Sequence, residues 1–150
     1  MKLIEVDRSS TEAIQPKLEA IRQICERYDD LEYVYLDDVI DDKREATVRK
    51  HFNIPADEAL IFVYDDTILG SNKIGFALAE KGLYWNNDWA TTTKRTFLSW
   101  ADLAERTFAV NDLRLILGRG DKIGIAGGAG NEGGERLVAM FDEIKALLLG

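Results

Sequence analysis

Two adjacent carboxylates, Asp65 and Asp66, close the apolar run ALIFVYDD and form the pair best placed for joint acid–base work or for holding a divalent metal. Neighbouring residues on a strand point to opposite faces, so shared chemistry there requires a turn to intervene. Thr67 and Gly70 supply such a turn, and in a turn an aspartate accepts backbone amide hydrogens instead. The preferred reading is therefore structural for Asp65, Asp66, Thr67 and Gly70, and for Gly82 in the next hairpin. A hydrolase using Asp65 and Asp66 with a divalent metal remains an alternative. Asp37, Asp38, Asp41 and Asp42 form a second acidic group, but they lack the spaced ligands, central glycine and terminal glutamate of a calcium-binding loop. Capping and solvation of a helix start explain them more simply.

Other chemistries are thinned out by counting. His51 is the only histidine and Cys25 the only cysteine, which excludes HExxH sites, histidine metal clusters, CxxC sites and intramolecular disulfides. Cys25 falls on an apolar helical stripe and is expected to be a buried, inert thiol. With no nucleophile–base pair assembled, no enzymatic activity, no catalytic residue, no cofactor and no metal are expected. The glycine-rich stretch GRGDKIGIAGGAGNEGG has neither the G-K-[S/T] of a phosphate loop nor a sound GxGxxG. It reads as a flexible connection, with anion binding ahead of the last helix as the weaker option. Arg119-Gly120-Asp121 within it reads as a hairpin turn.

Charge narrows the partners. The chain carries a net charge of -8, and the excess of acid is spread over both halves. Lys94, Arg95 and Arg106 are the only hint of a basic patch, so nucleic-acid binding is not expected. No apolar stretch is long enough to span a membrane, and MKLIEVDRSS has acids where a signal peptide has its apolar core. A cytoplasmic location is expected. Trp85 and Trp100 follow strand patterns and should fill the core. Trp89 lies in the polar run WNNDWATTT, where an indole suits a protein contact, so Asn86, Asn87, Asp88 and Trp89 are the candidate partner-contact residues.

Several elements must hold these residues. Ile14, Leu18, Ile21, Cys25 and Tyr28 recur at helical spacing, predicting a helix over 11–29. LEYVYL (31–36) reads as strand-like, and a second helix capped by Asp41 or Asp42 carries Val48 and Phe52 and ends near Asn53. From residue 58 the period changes to short strands: ALIFVYDD, then IGFALA and GLYWNN around a turn, then RTFLSW, TFAV, LRLILG and KIGIAG. Leu137, Met140, Phe141, Ile144, Leu147 and Leu148 then predict an amphipathic helix over 132–149. Residues 1–55 form an N-terminal helical segment and 56–150 the main domain.

Asp65-Asp66-Thr67, Gly70, Lys73, Gly75-Phe76-Ala77-Leu78 and Lys81-Gly82-Leu83-Tyr84-Trp85 resemble the "DDT-x-x-G … G-F … T-x-x-G-I-Y-W" pattern of bacterial pleckstrin-homology-like (PH-like) domains in poorly characterised proteins. Ser99-Trp100-Ala101-Asp102-Leu103 is similar to the "S-W/Y-x-D-L/I" segment those domains carry later. Ala79 stands where the pattern has a threonine. The resemblance covers about 56–150 and, more loosely, Val34 to Ile54. It implies an α+β fold: a PH-like curved antiparallel sheet or partly open barrel, preceded by the helical segment and capped by the C-terminal helix. No catalytic residues carry over. The basic pocket of lipid-binding versions is missing, because Lys73 and Lys81 stand beside Asp65, Asp66 and Glu80, so phospholipid binding is not expected. The expected function is a non-enzymatic cytosolic interaction module, working through a protein partner or self-association. The alternative is a small-molecule or phospholipid-binding domain with a cavity between sheet and terminal helix.

Overall fold

A run of six apolar or aromatic residues closed by an acid, Leu60–Asp65, is buried along its whole length. A strand can be apolar on both sides only if both faces of its sheet are covered, and the fold is organised around that condition. The computed structural model describes residues 17–67, 70–87 and 93–150. Helix α1 covers residues 17–26 of this range, and β1 (Val34–Leu36), α2 (Asp42–Phe52), β2 (Leu60–Asp65), β3 (Gly75–Ala79) and β4 (Gly82–Asn86) follow. Then come β5 (Phe97–Ser99), α3 (Trp100–Ala104), β6 (Ala109–Asn111), β7 (Arg114–Gly118), β8 (Asp121–Gly124) and α4 (Gly130–Leu149).

The expected curved single sheet or partly open barrel is not what the chain forms. The described strands divide into two antiparallel sheets, one ordered β1-β2-β3-β4-β5 and the other β6-β7-β8, and neither closes. The cause lies at Ser99. Its hydroxyl accepts the Asp102 amide at 3.1 Å and caps α3, so the chain leaves the first sheet at Trp100, the last residue of the expected strand RTFLSW. Trp100 is buried in that short helix, and its indole donates to Glu80 O at 2.9 Å. The α+β class itself is as expected. Strand β1, from the N-terminal part of the chain, is an edge of the larger sheet, with Val34 opposite Tyr64 and Leu36 opposite Phe62.

Each face of the larger sheet has its own cover. Val63, Ala77, Ala79 and Tyr84 pack beneath α2 through Val48, Phe52 and Ile54. Helix α2 begins where Asp41 Oδ1 accepts the Arg44 amide at 2.7 Å and ends at Asn53, whose left-handed backbone returns its amide to Arg49 O. On the other face Phe62, Tyr64, Phe76, Leu78 and Trp85 meet α1, α4 and the smaller sheet. There Phe141 of α4 packs against Phe76 at 5.5 Å and Phe108 at 4.5 Å between centroids. Leu137, Met140, Phe141 and Ile144 are buried as the helical stripe predicted, each worth about 1.5–3 kcal/mol of hydrophobic transfer. Among the described residues no helix is long and apolar enough to cross a membrane.

Candidate functional site

The end of β2 separates the two carboxylates rather than joining them. Asp66 Oδ1 accepts the Tyr64 hydroxyl at 2.6 Å and the amides of Gly127 and Gly128, each at 3.1 Å. The same hydroxyl accepts the Ala129 amide at 2.7 Å. The glycine-rich stretch ahead of α4, expected to be a flexible connection, is therefore fastened here by one carboxylate and one phenol. Glycine is required by proximity: a Cβ on Gly127 would lie 1.8 Å from Asp66 O. Burial, and then the bond to Asp66, raises the Tyr64 pKa well above the usual tyrosine value. The anion-holding geometry imagined for these amides is satisfied by the protein's own aspartate.

Asp65 turns the opposite way, as the strand alternation requires. Its Oδ1 accepts both the amide of Thr67, at 2.9 Å, and its hydroxyl, at 2.6 Å, while Thr67 Oγ1 accepts the Ser71 amide at 2.7 Å. Its Oδ2 is buried and has no hydrogen-bond partner. Gly70, with φ 73°, and Asn72, with φ 59°, carry the turn back toward β3, and Asn72 Nδ2 donates to Gly70 O at 2.9 Å. Asn72 Oδ1 is a second buried acceptor without a partner. Asn72 also lines a surface cleft of about 290 Å³ shared with Asp41, Lys43, Arg44, Thr47 and Ser71.

A third aspartate behaves differently again. Asp121, the first residue of β8, accepts Arg106 Nη1 at 2.7 Å and Arg95 Nε at 3.0 Å on Oδ2, and the Thr93 hydroxyl at 2.6 Å on Oδ1. Arg106 is itself buried and donates to Leu117 O and Gly118 O. Burial pushes the Asp121 carboxyl up, but the Thr93 and Arg106 bonds and the two guanidinium charges outweigh it and hold its pKa below the ordinary value. The Arg119-Gly120-Asp121 turn thus has its acid inside the protein, unavailable as an adhesive tripeptide.

The candidate partner-contact segment is bounded by anchored residues. Asn87 Nδ2 donates to Lys122 O at 2.8 Å and its Oδ1 accepts the Gly124 amide at 3.0 Å, so one side chain pairs with β8 as a strand backbone would. Asn86 Nδ2 donates to Lys73 O at 2.8 Å. Asp88 and Trp89 lie outside the described residues. At the foot of the same hairpin, Gly82 has φ 152°, and a Cβ there would fall 2.0 Å from Leu98 O. Beside it the buried Glu58 accepts the Lys81 amide at 2.8 Å and the Tyr84 hydroxyl.

The remaining candidates are dispersed. Cys25 is fully buried and its thiol is pushed up to about 12, mainly by burial. His51 is half-buried in the last turn of α2. Asp37 and Asp38 pair with Arg22, while Asp41 caps α2. Among the described residues no group of three or more His, Cys, Asp or Glu side chains is arranged to hold a metal. A second cleft, of about 320 Å³, lies between Asp30, Glu32, Glu132 and Arg136, with Arg136 already bonded to Asp30 at 2.7 Å. Sequence reasoning missed Asn72 and the Arg106–Asp121 pair, and it named Asn87 as a partner-contact candidate without foreseeing its bonds to β8. Arg106 left a trace as a basic-patch candidate with Lys94 and Arg95, and it meets Arg95 on Asp121 Oδ2.

No protein-family model matches the chain, and no curated protein and no solved structure matches it either.

Proposed function

We propose that the chain is a non-enzymatic cytosolic interaction module that binds a protein partner, or a second copy of itself, through the segment carrying Trp89. The observation that supports this reading is the pair of anchors on either side of residues 88–92. Asn87 is bonded to Lys122 and Gly124, and Thr93 and Arg95 to Asp121, so both ends of the segment are tied to β8. Fixed ends lower the conformational entropy lost when a contact loop is ordered on binding. Against catalysis, Asp65 and Asp66 bond in opposite directions, and the sole cysteine is buried with a raised pKa. Against a ligand cavity beneath the terminal helix, Phe76, Phe108 and Phe141 pack against one another across that space.

The test compares two tryptophans. Trp89→Ala is expected to weaken self-association, or capture of a recovered partner, about thirtyfold, the factor set by losing an anchor worth at least ~2 kcal/mol. Its melting temperature should stay near that of the wild type. Trp85 is 2% exposed, and Trp85→Ala should cost about 3–5 kcal/mol of folding stability. Undiminished association by Trp89→Ala in sedimentation and pull-down would remove the segment from any interface.

A further inference from the structure

Among the described strands, β1, β5, β6 and β8 are sheet edges, and they are not equally open. Strands β1, β5 and β8 each contain at least one buried residue. The edge of β8 is also occupied by the Asn87 side chain, which bonds Lys122 O and the Gly124 amide. In β6 no residue is buried: Ala109 and Asn111 are exposed and Val110 is half-buried. This edge carries no charge and no proline, and it runs along β7 without a shift of register. Those are the usual devices that stop an edge from pairing with another chain.

The hairpin that builds β6 decides which of its backbone groups are free. Asp112 and Leu113, with φ 53° and 60°, form a two-residue turn, so the flanking Asn111 and Arg114 are a hydrogen-bonded pair. Bonding alternates along an antiparallel ladder. Ala109 therefore bonds Ile116, while Val110, opposite Leu115, turns its amide and carbonyl away from β7 and out of the sheet. The Val110 side chain lies on the inner face against α4, where a Cβ on Gly134 would come 2.9 Å from its Cγ2. Ala109 and Asn111 occupy the outer face.

We propose that β6 pairs antiparallel with β6 of a second copy of this chain, about a two-fold axis at Val110. In that register Val110 exchanges both hydrogen bonds with its counterpart, and Ala109 of each copy faces Asn111 of the other. The strand is complementary to itself because no like charges meet across the axis, as an isologous contact requires. The two three-stranded sheets become one of six strands. So short a pairing makes a weak dimer, populated by mass action as concentration rises. The net charge of -8 on each copy opposes the approach, so added salt strengthens the contact. This edge lies across the smaller sheet from β8, to which the ends of the Trp89 segment are tied, and the contact is separate from any made by that segment.

Sedimentation equilibrium of the full chain at rising concentration, in low and high salt, tests the proposal. A reversible monomer–dimer equilibrium that tightens with salt is expected. Ala109→Lys/Asn111→Lys sets lysines opposite one another on both sides of the axis and should weaken the dimer about tenfold, although it lowers the net negative charge. Ala109→Glu/Asn111→Lys sets opposite charges at the same places and should restore wild-type association or exceed it. A wild type that stays monomeric at every concentration would overturn the proposal. Equal weakening in both double variants, or an undiminished dimer in the double-lysine variant, would overturn it as well. A dimer lost in Trp89→Ala yet indifferent to both charge variants would assign self-association to the Trp89 segment instead. Amide exchange of the wild type needs no variant to fold: the Val110 amide should gain protection with concentration, and exchange there that ignores concentration would refute the pairing.

Discussion

Asp65 and Asp121 are the same residue type, both at a strand end beside a turn and both at most 1% exposed, yet their surroundings are opposite. Asp121 receives two guanidinium groups and a hydroxyl, shared over both oxygens. Asp65 receives the amide and hydroxyl of one threonine on a single oxygen, and its other oxygen faces no donor. Asp66 stands between them, with one oxygen satisfied by neutral donors from Tyr64, Gly127 and Gly128. Burial alone therefore does not distinguish a fully partnered acid from one left with a bare oxygen. The distinction lies in whether the counter-charge comes from the chain.

The largest effect should come from breaking the complete example. Arg106→Met leaves the Asp121 carboxylate buried opposite Arg95 alone and is expected to cost about 3–5 kcal/mol in chemical denaturation, as removal of one member of a buried ion pair does. A loss below about 1 kcal/mol would mean that Arg95 and Thr93 suffice, and the contrast with Asp65 would shrink accordingly.

The neutral example should respond less. Tyr64→Phe removes the hydroxyl that bridges Asp66 and the Ala129 amide, leaving a half-buried donor unpaired at about 1 kcal/mol. Gly127→Ala should cost ~1–3 kcal/mol by overpacking, because the added methyl meets Asp66 O. Amide hydrogen exchange at residues 127–129 locates the loss. Exchange unchanged in both variants would show that the fastening contributes nothing to order ahead of α4.

Acid provides a gentler probe of the same contrast. The Asp121 pKa is depressed in the folded protein, so its contribution is fully present above the unfolded aspartate value, about 3.9, and is lost as pH falls through the folded value. Glu143 is depressed too, by the Tyr28 hydroxyl and then by Arg27, so its contribution vanishes over the same acid window. Stability measured from pH 6 down to pH 2 should decline less steeply in Glu143→Gln than in the wild type, by a few tenths of a kcal/mol for so exposed a pair. Parallel acid curves would remove Glu143 from the account.

What the sequence made legible follows from where each signal resides. Helix α4 was readable because Leu137, Met140, Phe141 and Ile144 repeat at helical spacing and all are buried. The Asp41 cap and the β3–β4 hairpin at Gly82 were readable because capping and turn chemistry are local. The split into two sheets was not, because it depends on five residues after Ser99 closing into a short helix between two strand-like runs. Ser99 with Asp102 three positions on was the available sign, an acid at the third helical position after a capping serine. The candidate site was legible as a turn at Asp65 and Asp66, but their opposite bonding depends on residues 127–129, some sixty positions away. Asn72 and Asn87 carry no periodic signal at all, since their roles consist of single long-range or turn-closing bonds.

The most direct test is a melting and denaturation comparison of Asp65→Asn and Asp121→Asn in a chelating buffer. Asp121→Asn should lose about 3–5 kcal/mol, because the buried Arg106 keeps its charge and loses its partner. Asp65→Asn should remain within about 1 kcal/mol of the wild type or exceed it, because it removes a buried charge that the chain does not compensate. Equal, large losses in both variants would show that Asp65 is as fully satisfied as Asp121 and would contradict the account.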